Sequence, residues 1–182
     1  MSAKEKILSA AIGLLEQQGV DGLTTRAVCE AAGVTAPTLY HHFGDKHGLV
    51  RAIVGEGVTE FMAMKRAQRV TNDPLADLRR GWDAWIGFGL ERPTLFRLMI
   101  EAARSDPTLA QESFEHMKET VVRLEAANGL SVELSVAVQA VWAAASGMQA
   151  LFLQGLEPVK IRATSRFLFK AVAAALTAPS GN

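Results

Sequence analysis

At 182 residues, 49 % of them apolar, the chain can bury a substantial core and has the size of one compact unit or of a small head on a larger body. Its nineteen basic and nineteen acidic residues cancel, which excludes a protein that grips nucleic acid mainly through a strong basic field. A single cysteine, Cys29, excludes an intrachain disulfide and any multi-cysteine metal site.

The polar start Met1-Ser-Ala-Lys-Glu-Lys6 runs straight into a helical pattern. The most apolar stretch, Val132 to Leu153, is interrupted by Glu133, Gln139, Ser146 and Gln149. Neither a signal peptide nor a membrane span is expected, and the protein is expected to be cytoplasmic. Ser2 with Glu5 forms a capping box, and Ile7, Leu8, Ala11, Leu14 and Leu15 keep helical spacing until Gly19. Thr24 caps a short second helix carrying Val28, Ala31 and Ala32, which stops at Gly33. Thr35 caps a third, with Pro37 tolerated in its first turn, running to Phe43 and Gly44. Asp45 caps a long fourth helix from Lys46 to about Gln68. Its Gly55 and Gly57 cost roughly 1 kcal/mol each against alanine. They read as close packing against the first helix, or as a softening of the helix that joins head to body.

Thr71-Asn-Asp-Pro74 is the one clear polar break. Asp73 then caps a fifth helix with Pro74 at its first position, and Arg92-Pro93 and Asp106-Pro107 open the sixth and seventh in the same manner. Gly129 closes the seventh and Ser131 opens an eighth. Gly155 to Pro158 separates that from a ninth ending near Thr177, and Ala178 to Asn182 reads as a frayed tail. No segment alternates with period two for long, so the expected fold is all-α with about nine helices. A head of residues 1–47 is expected to precede a body of residues 48–182.

The second and third helices, joined by Gly33-Val-Thr35, match a helix-turn-helix layout. Leu39 and Phe43 face inward with Val28 and Ala32. The opposite side of the third helix offers Ala36, Pro37, Tyr40 and His41, small at its start and aromatic or hydrogen-bonding further along, as suits approach to base edges. Residues 1–50 carry Lys4, Lys6, Arg26 and Lys46 against Glu5, Glu16, Asp21, Glu30 and Asp45, so any nucleic-acid reading rests on geometry rather than charge.

The run Leu23-Thr-Thr-Arg-Ala-Val-Cys-Glu-Ala-Ala-Gly-Val-Thr-Ala-Pro-Thr-Leu-Tyr-His-His-Phe-Gly-Asp-Lys46 closely resembles the DNA-binding signature of the TetR family of bacterial transcriptional regulators. The resemblance is strong over residues 1 to about 50 and rests elsewhere on helical layout. It implies phosphate contacts from Thr25, Tyr40, His42 and Lys46, and Thr35, Ala36, Pro37, Thr38 and His41 at or near base edges. Pro37 departs from the small or flexible residue more usual there. The residues agree with these roles. Thr25 and Lys46 each begin a helix, where backbone amides also favour a phosphate, and Tyr40 and His42 donate hydrogen bonds without needing a strong field.

Residues 75–153 are rich in large apolar side chains. The resemblance implies an effector pocket there, for which Trp82, Trp85, Phe88, Phe96, Met99, Met117, Trp142 and Ser146 are the candidates. Leu95-Phe-Arg-Leu-Met99 looks like the family's sixth helix. Trp142-Ala-Ala-Ala-Ser-Gly147 resembles a Trp-x-x-x-His-Gly element of one subgroup, with serine in place of the histidine. Glu112 and His116 lie four apart but read as a surface pair without a third ligand, and no metal or cofactor is expected. No nucleophile–base pair, phosphate-binding loop or carboxylate cluster suggests an enzyme. The eighth helix is apolar nearly all round and needs cover on every side. A homodimer through the last two helices is therefore expected, as the resemblance also implies. The whole reads as a ligand-responsive repressor that binds palindromic double-stranded DNA and is released by a small apolar or aromatic molecule. The alternative is an apolar-ligand-binding helical protein that has lost DNA binding.

Overall fold

The computed structural model describes residues 1–177; the frayed tail expected at residues 178–182 lies outside them. The described residues form nine α-helices and no strand: α1 (Ala3–Gln18), α2 (Thr25–Ala32), α3 (Ala36–Phe43), α4 (Lys46–Arg66), α5 (Pro74–Glu91), α6 (Pro93–Ser105), α7 (Thr108–Asn128), α8 (Leu134–Leu153) and α9 (Pro158–Thr177). A short 3₁₀ turn, Val20–Gly22, lies between α1 and α2 and has no counterpart in the hydrophobic pattern.

Most helix starts follow their capping residues. Ser2 accepts the Glu5 amide at 3.2 Å while the Glu5 carboxylate accepts the Ser2 amide at 2.8 Å, so two otherwise orphaned donors are satisfied together. Thr24, Asp45 and Asp73 each accept the amide three residues on. Three expected starts need correction. The Thr35 hydroxyl does not cap α3 but pairs with that of Thr38 at 3.0 Å. Pro107 precedes α7 instead of entering it, because Asp106 takes both the amide and the hydroxyl of Thr108. Ser131 does not open α8: its amide bonds the Leu176 carbonyl at 2.9 Å and its hydroxyl bonds that of Ala175. It thus ties the α7–α8 connection to the end of α9.

Ile7, Ala11 and Leu15 of α1 pack with Leu23, Val28, Leu39, Phe43, Leu49 and Ile53 into the core of the head. Each of the larger side chains among them contributes about 1.5–3 kcal/mol through removal from water. Residue 47, the boundary expected between head and body, lies in the first turn of α4, inside one continuous helix. A second link joins α1 to α6: Glu16 accepts the Leu95 amide at 3.2 Å, placing a carboxylate at the α6 N-terminus.

The α4 glycines differ in role. Gly55 has nothing within 4 Å of where a Cβ would stand. A Cβ on Gly57 would lie 2.8 Å from Met99 Sδ and 3.0 Å from Leu95 Cδ1. The close approach is therefore to α6, not to the first helix. Gly57→Ala should destabilise by about 1–2 kcal/mol, overpacking outweighing the gain in helix propensity, whereas Gly55→Ala should stabilise by up to about 1 kcal/mol. Denaturant unfolding of the two variants reads the difference, and stabilisation by both would contradict this packing.

By length and composition α8 could cross a bilayer, yet it lies against α7 and α9 through Ala137, Val138, Val141, Met148 and Phe152. Only 28 % of its apolar stretch is buried within the chain. Val136, Ala143, Gly147 and Ala150 remain exposed along one side of α8, and Val159, Ala163, Phe167, Ala171 and Ala174 along one side of α9.

Candidate functional site

In the head, Gly33 at the end of α2 adopts φ 65° and ψ 38°, a left-handed turn that glycine takes without Cβ strain and that swings the chain into α3. Val34 packs in the angle, and Leu39 and Phe43 fix α3 against the core. The residues left outward are Pro37, Tyr40, His41 and His42, all exposed, with Ala36 and Thr38 half-buried and Thr35 exposed beside them. The Tyr40 hydroxyl meets the Thr25 hydroxyl at 3.1 Å, tying the start of α2 to the middle of α3. Each hydroxyl keeps further hydrogen-bonding capacity, so the pair forms one rigid polar point on the outer surface. Lys46 is exposed at the start of α4. Beside it the Gly48 amide, bonded at 2.6 Å, holds the Asp45 carboxyl below its ordinary range. The outward set thus mixes hydroxyls, imidazoles and one ammonium. It can donate hydrogen bonds to phosphates and base edges while exerting little long-range field.

In the body, α4 to α8 enclose a cavity of about 210 Å³. Trp82, Trp85, Phe96, Met99, Met117, Trp142 and Ser146, all anticipated from the sequence, line it. Phe88 is the exception: it is buried behind the wall, its ring 5.4 Å from that of Phe61 and 6.1 Å from that of Phe96. Ser146 turns its hydroxyl back to the Trp142 carbonyl at 3.0 Å. Trp82 donates to the buried Ser165 of α9 at 2.7 Å, which fixes one indole of the wall. The expected Glu112–His116 pairing does not form. Glu112 is held by Arg66 at 2.6 Å, and His116, half-buried, lines the cavity, where burial and the Lys65 charge lower its pKa.

The charged lining has no counterpart among the candidates read from the sequence. Lys65 is 6 % exposed and belongs to the wall, with burial pushing its pKa down to about 8. Its signal was available: Val58, Phe61, Met62 and Lys65 follow the i, i+3, i+4, i+7 spacing of a buried face. At the rim, Asp77 gathers Thr71, Arg80 and Arg123, with Arg123 at 2.8 Å and the Thr71 hydroxyl at 2.6 Å. Burial alone would raise the Asp77 carboxyl. The hydrogen bonds from Thr71 and Arg123 and the charge of Arg80 overcome it and hold the pKa at about 2.

Asp77 therefore contributes stability that is complete above its unfolded pKa near 3.8 and is lost as pH falls towards 2. Its arginine partners are partly solvated, so Asp77→Ala should cost about 1–2 kcal/mol at neutral pH. It should also flatten the acid limb of a stability–pH curve. An unchanged acid limb would show that the cluster does not fasten the α4–α5 connection.

A helix-turn-helix carried on further helices that surround a cavity defines an all-α helix-turn-helix fold. Residues 7–53 match the model of the bacterial regulatory proteins of the tetR family. It is 36 % identical to the Escherichia coli tetracycline repressor protein class A from transposon 1721 over 98 residues, 54 % of this chain and 40 % of that one. It is 29 % identical to the transcriptional repressor AcnR of Corynebacterium glutamicum over 121 residues, 63 % of this chain and 58 % of that one. The matches thus span 40 % and 58 % of these two curated relatives, less than two thirds of either. Among solved structures, a TetR transcription regulator from Haloarcula marismortui superposes with a TM-score of 0.81 at 15 % identity, covering 96 % of this chain and 98 % of its own. The TetR-family regulator PfmR of Thermus thermophilus gives 0.67 at 22 %, covering 90 % and 97 %. At these identities the two structures speak for the fold alone.

Proposed function

We propose that this protein is a dimeric, ligand-responsive transcriptional repressor. In this reading α3 enters the major groove of double-stranded DNA, with Thr35, Ala36, Pro37, Thr38 and His41 at base edges. Thr25, Tyr40, His42 and Lys46 position the head on phosphates. The observation that carries it is the division of α3 into a buried pair, Leu39 and Phe43, and an exposed polar face braced by the Tyr40–Thr25 hydroxyl contact. Two heads would meet two half-sites of a palindrome, with α8 and α9 joining the chains through their exposed apolar stripes. The relatives named above are repressors and regulators, and we assign the same non-catalytic role here.

The cavity is proposed as the effector site. Its α6 wall supplies Phe96 and Met99, while the N-terminus of the same helix is held by Glu16 of the head. An occupant that displaces α6 would move the head through that contact and through the tight Gly57 crossing with α4. Ligand affinity and DNA affinity would then be coupled reciprocally.

The rival reading, a ligand binder whose head no longer reads DNA, rests on the acidic balance of residues 1–50. Selecting binding sites from random duplexes with wild type, Pro37→Gly and His41→Ala separates the two. We expect a palindromic motif from the wild type and altered preferences at individual positions from the variants, each lost base contact costing roughly 1–3 kcal/mol there. Failure to enrich any motif would favour the rival. Identical motifs from all three proteins would remove Pro37 and His41 from the readout.

A further inference from the structure

Lys65 has no ion pair and no hydrogen bond from its ammonium among the described residues. Its stem packs on α5, with Cε 4.0 Å from where a Cβ on Gly81 would stand, and its ammonium lies 5.6 Å from the centre of the Phe61 ring. The other cations of the lining are placed differently. Arg80 and Arg123 are both committed to Asp77, and Arg69 is exposed. The acids of the lining are Asp77, saturated by its partners, and Glu119, exposed on α7. Cationic residues of the wall, Lys65, Arg69, Arg80 and Arg123, thus outnumber its two acidic ones. A largely desolvated ammonium without a protein partner is costly, and Lys65 borders the cavity, from which a partner can arrive.

We infer that the cavity takes a small apolar carboxylic acid whose carboxylate seats on the Lys65 ammonium, while its hydrocarbon or aromatic body lies against Trp82, Trp85, Phe96 and Trp142. The inference rests on the reading of the cavity as an effector site and names the chemistry of the occupant. An engineered cavity of about 150 Å³ holds a benzene molecule. The volume of about 210 Å³ here therefore suits one ring, or a chain of similar bulk, plus the acid group. An acid also explains why the wall is neither wholly apolar nor widely polar. It has one buried cation, aromatic surface around it, and the half-buried His116 as a neighbouring donor.

The inference carries a pH dependence. The groups around Lys65 are Arg66 and Arg69 on its own side, Asp77 and Arg80 from α5, and Glu112, His116, Glu119 and Arg123 from α7. Asp77 is held at about 2 and His116 titrates below its ordinary value, so neither changes charge above pH 7. Lys65 itself changes charge near pH 8. Acid binding should be flat below about pH 8 and weaken above it, because the anion then meets a neutral amine.

The test is calorimetric titration of 4-phenylbutyrate, cyclohexylacetate and octanoate, each beside its primary amide, into wild type, Lys65→Met and Lys65→Arg, together with a gel shift on the selected operator. In wild type at least one acid should bind roughly 10- to 100-fold more tightly than its amide, the range expected for a hydrogen bond to a charged group. Lys65→Met should abolish or reverse that preference and Lys65→Arg should keep it. Equal binding of acid and amide by wild type, or an acid preference that survives Lys65→Met, overturns the inference while leaving the cavity a binding site. Binding of none of the acids at their solubility limit also overturns it. Selective acid binding that leaves DNA affinity unchanged would sustain the seat on Lys65 and remove the effector reading instead.

Discussion

Phe167→Glu should convert a dimer into a monomer without unfolding the chain. Phe167 is 76 % exposed and Val159 78 % exposed on one side of α9, and Val136 is 52 % exposed on α8. Between them run Ala143, Gly147, Ala150, Ala163, Ala171 and Ala174, residues small enough for a second pair of helices to approach closely. Exposed apolar side chains repeated along two packed helices are of the kind that marks an interface. The aromatic ring at its centre is the natural anchor, and a carboxylate there would be buried without a partner. Such an anchor is worth roughly 2–4 kcal/mol, so the dimer dissociation constant should rise about 30- to 1,000-fold. Because Phe167 touches little of its own chain, helical content and the unfolding of the protomer should change little. Sedimentation velocity across a concentration series reads the effect. A variant that dimerises as the wild type does would place the interface elsewhere.

Lys65→Met should stabilise the protein by about 2–3 kcal/mol at neutral pH. The lysine carries a pKa lowered from 10.5 to about 8 by burial. Between those values the unfolded chain binds a proton that the folded chain does not, so stability rises with pH across that window. Below pH 8 the penalty is complete, worth about 3 kcal/mol at roughly 1.4 kcal/mol per pKa unit, less the modest cation–π contact with Phe61. The gain from methionine should therefore be full at pH 7 and vanish as pH approaches 10.5. For a chain of this length the melting temperature should rise by about 2–4 °C for each kcal/mol. Chemical denaturation of both proteins at pH 7 and pH 10 measures it. Equal stability at pH 7 would mean that the ammonium is already compensated. A group retained at such a cost is one expected to serve function rather than folding.

Much of the fold was legible because the chain punctuates its helices with residues whose side chains replace missing backbone partners. Ser2, Thr24, Asp45 and Asp73 do this, and Pro74 and Pro93 stand where no amide is needed. The misread starts share a cause: the same residue types served another contact. Asp106 bonded Thr108 from outside the helix, Ser131 reached forward to α9, and Thr35 turned to Thr38, and only the third dimension decides between such partners. The 3₁₀ turn at Val20–Gly22 was missed because three residues leave no period to detect. The head's outward face was readable because α3 is short and its two inward residues lie four apart. The cavity's aromatic wall was readable as composition, but which ring faces in was not, and Phe88 fell behind the wall. The Asp77 cluster joins Thr71 and Arg123, separated by 52 residues in the hydrogen bond that links them, and no local pattern announces it.

The central claim is that the exposed face of α3 reads DNA sequence as one of two identical heads. It is tested most directly by the affinity of the wild type for its selected palindrome relative to a scrambled duplex of equal length, measured by fluorescence anisotropy at physiological salt. Specific recognition predicts a preference of at least about a thousandfold, with two chains bound per palindrome. Equal affinity for the two duplexes would contradict the account.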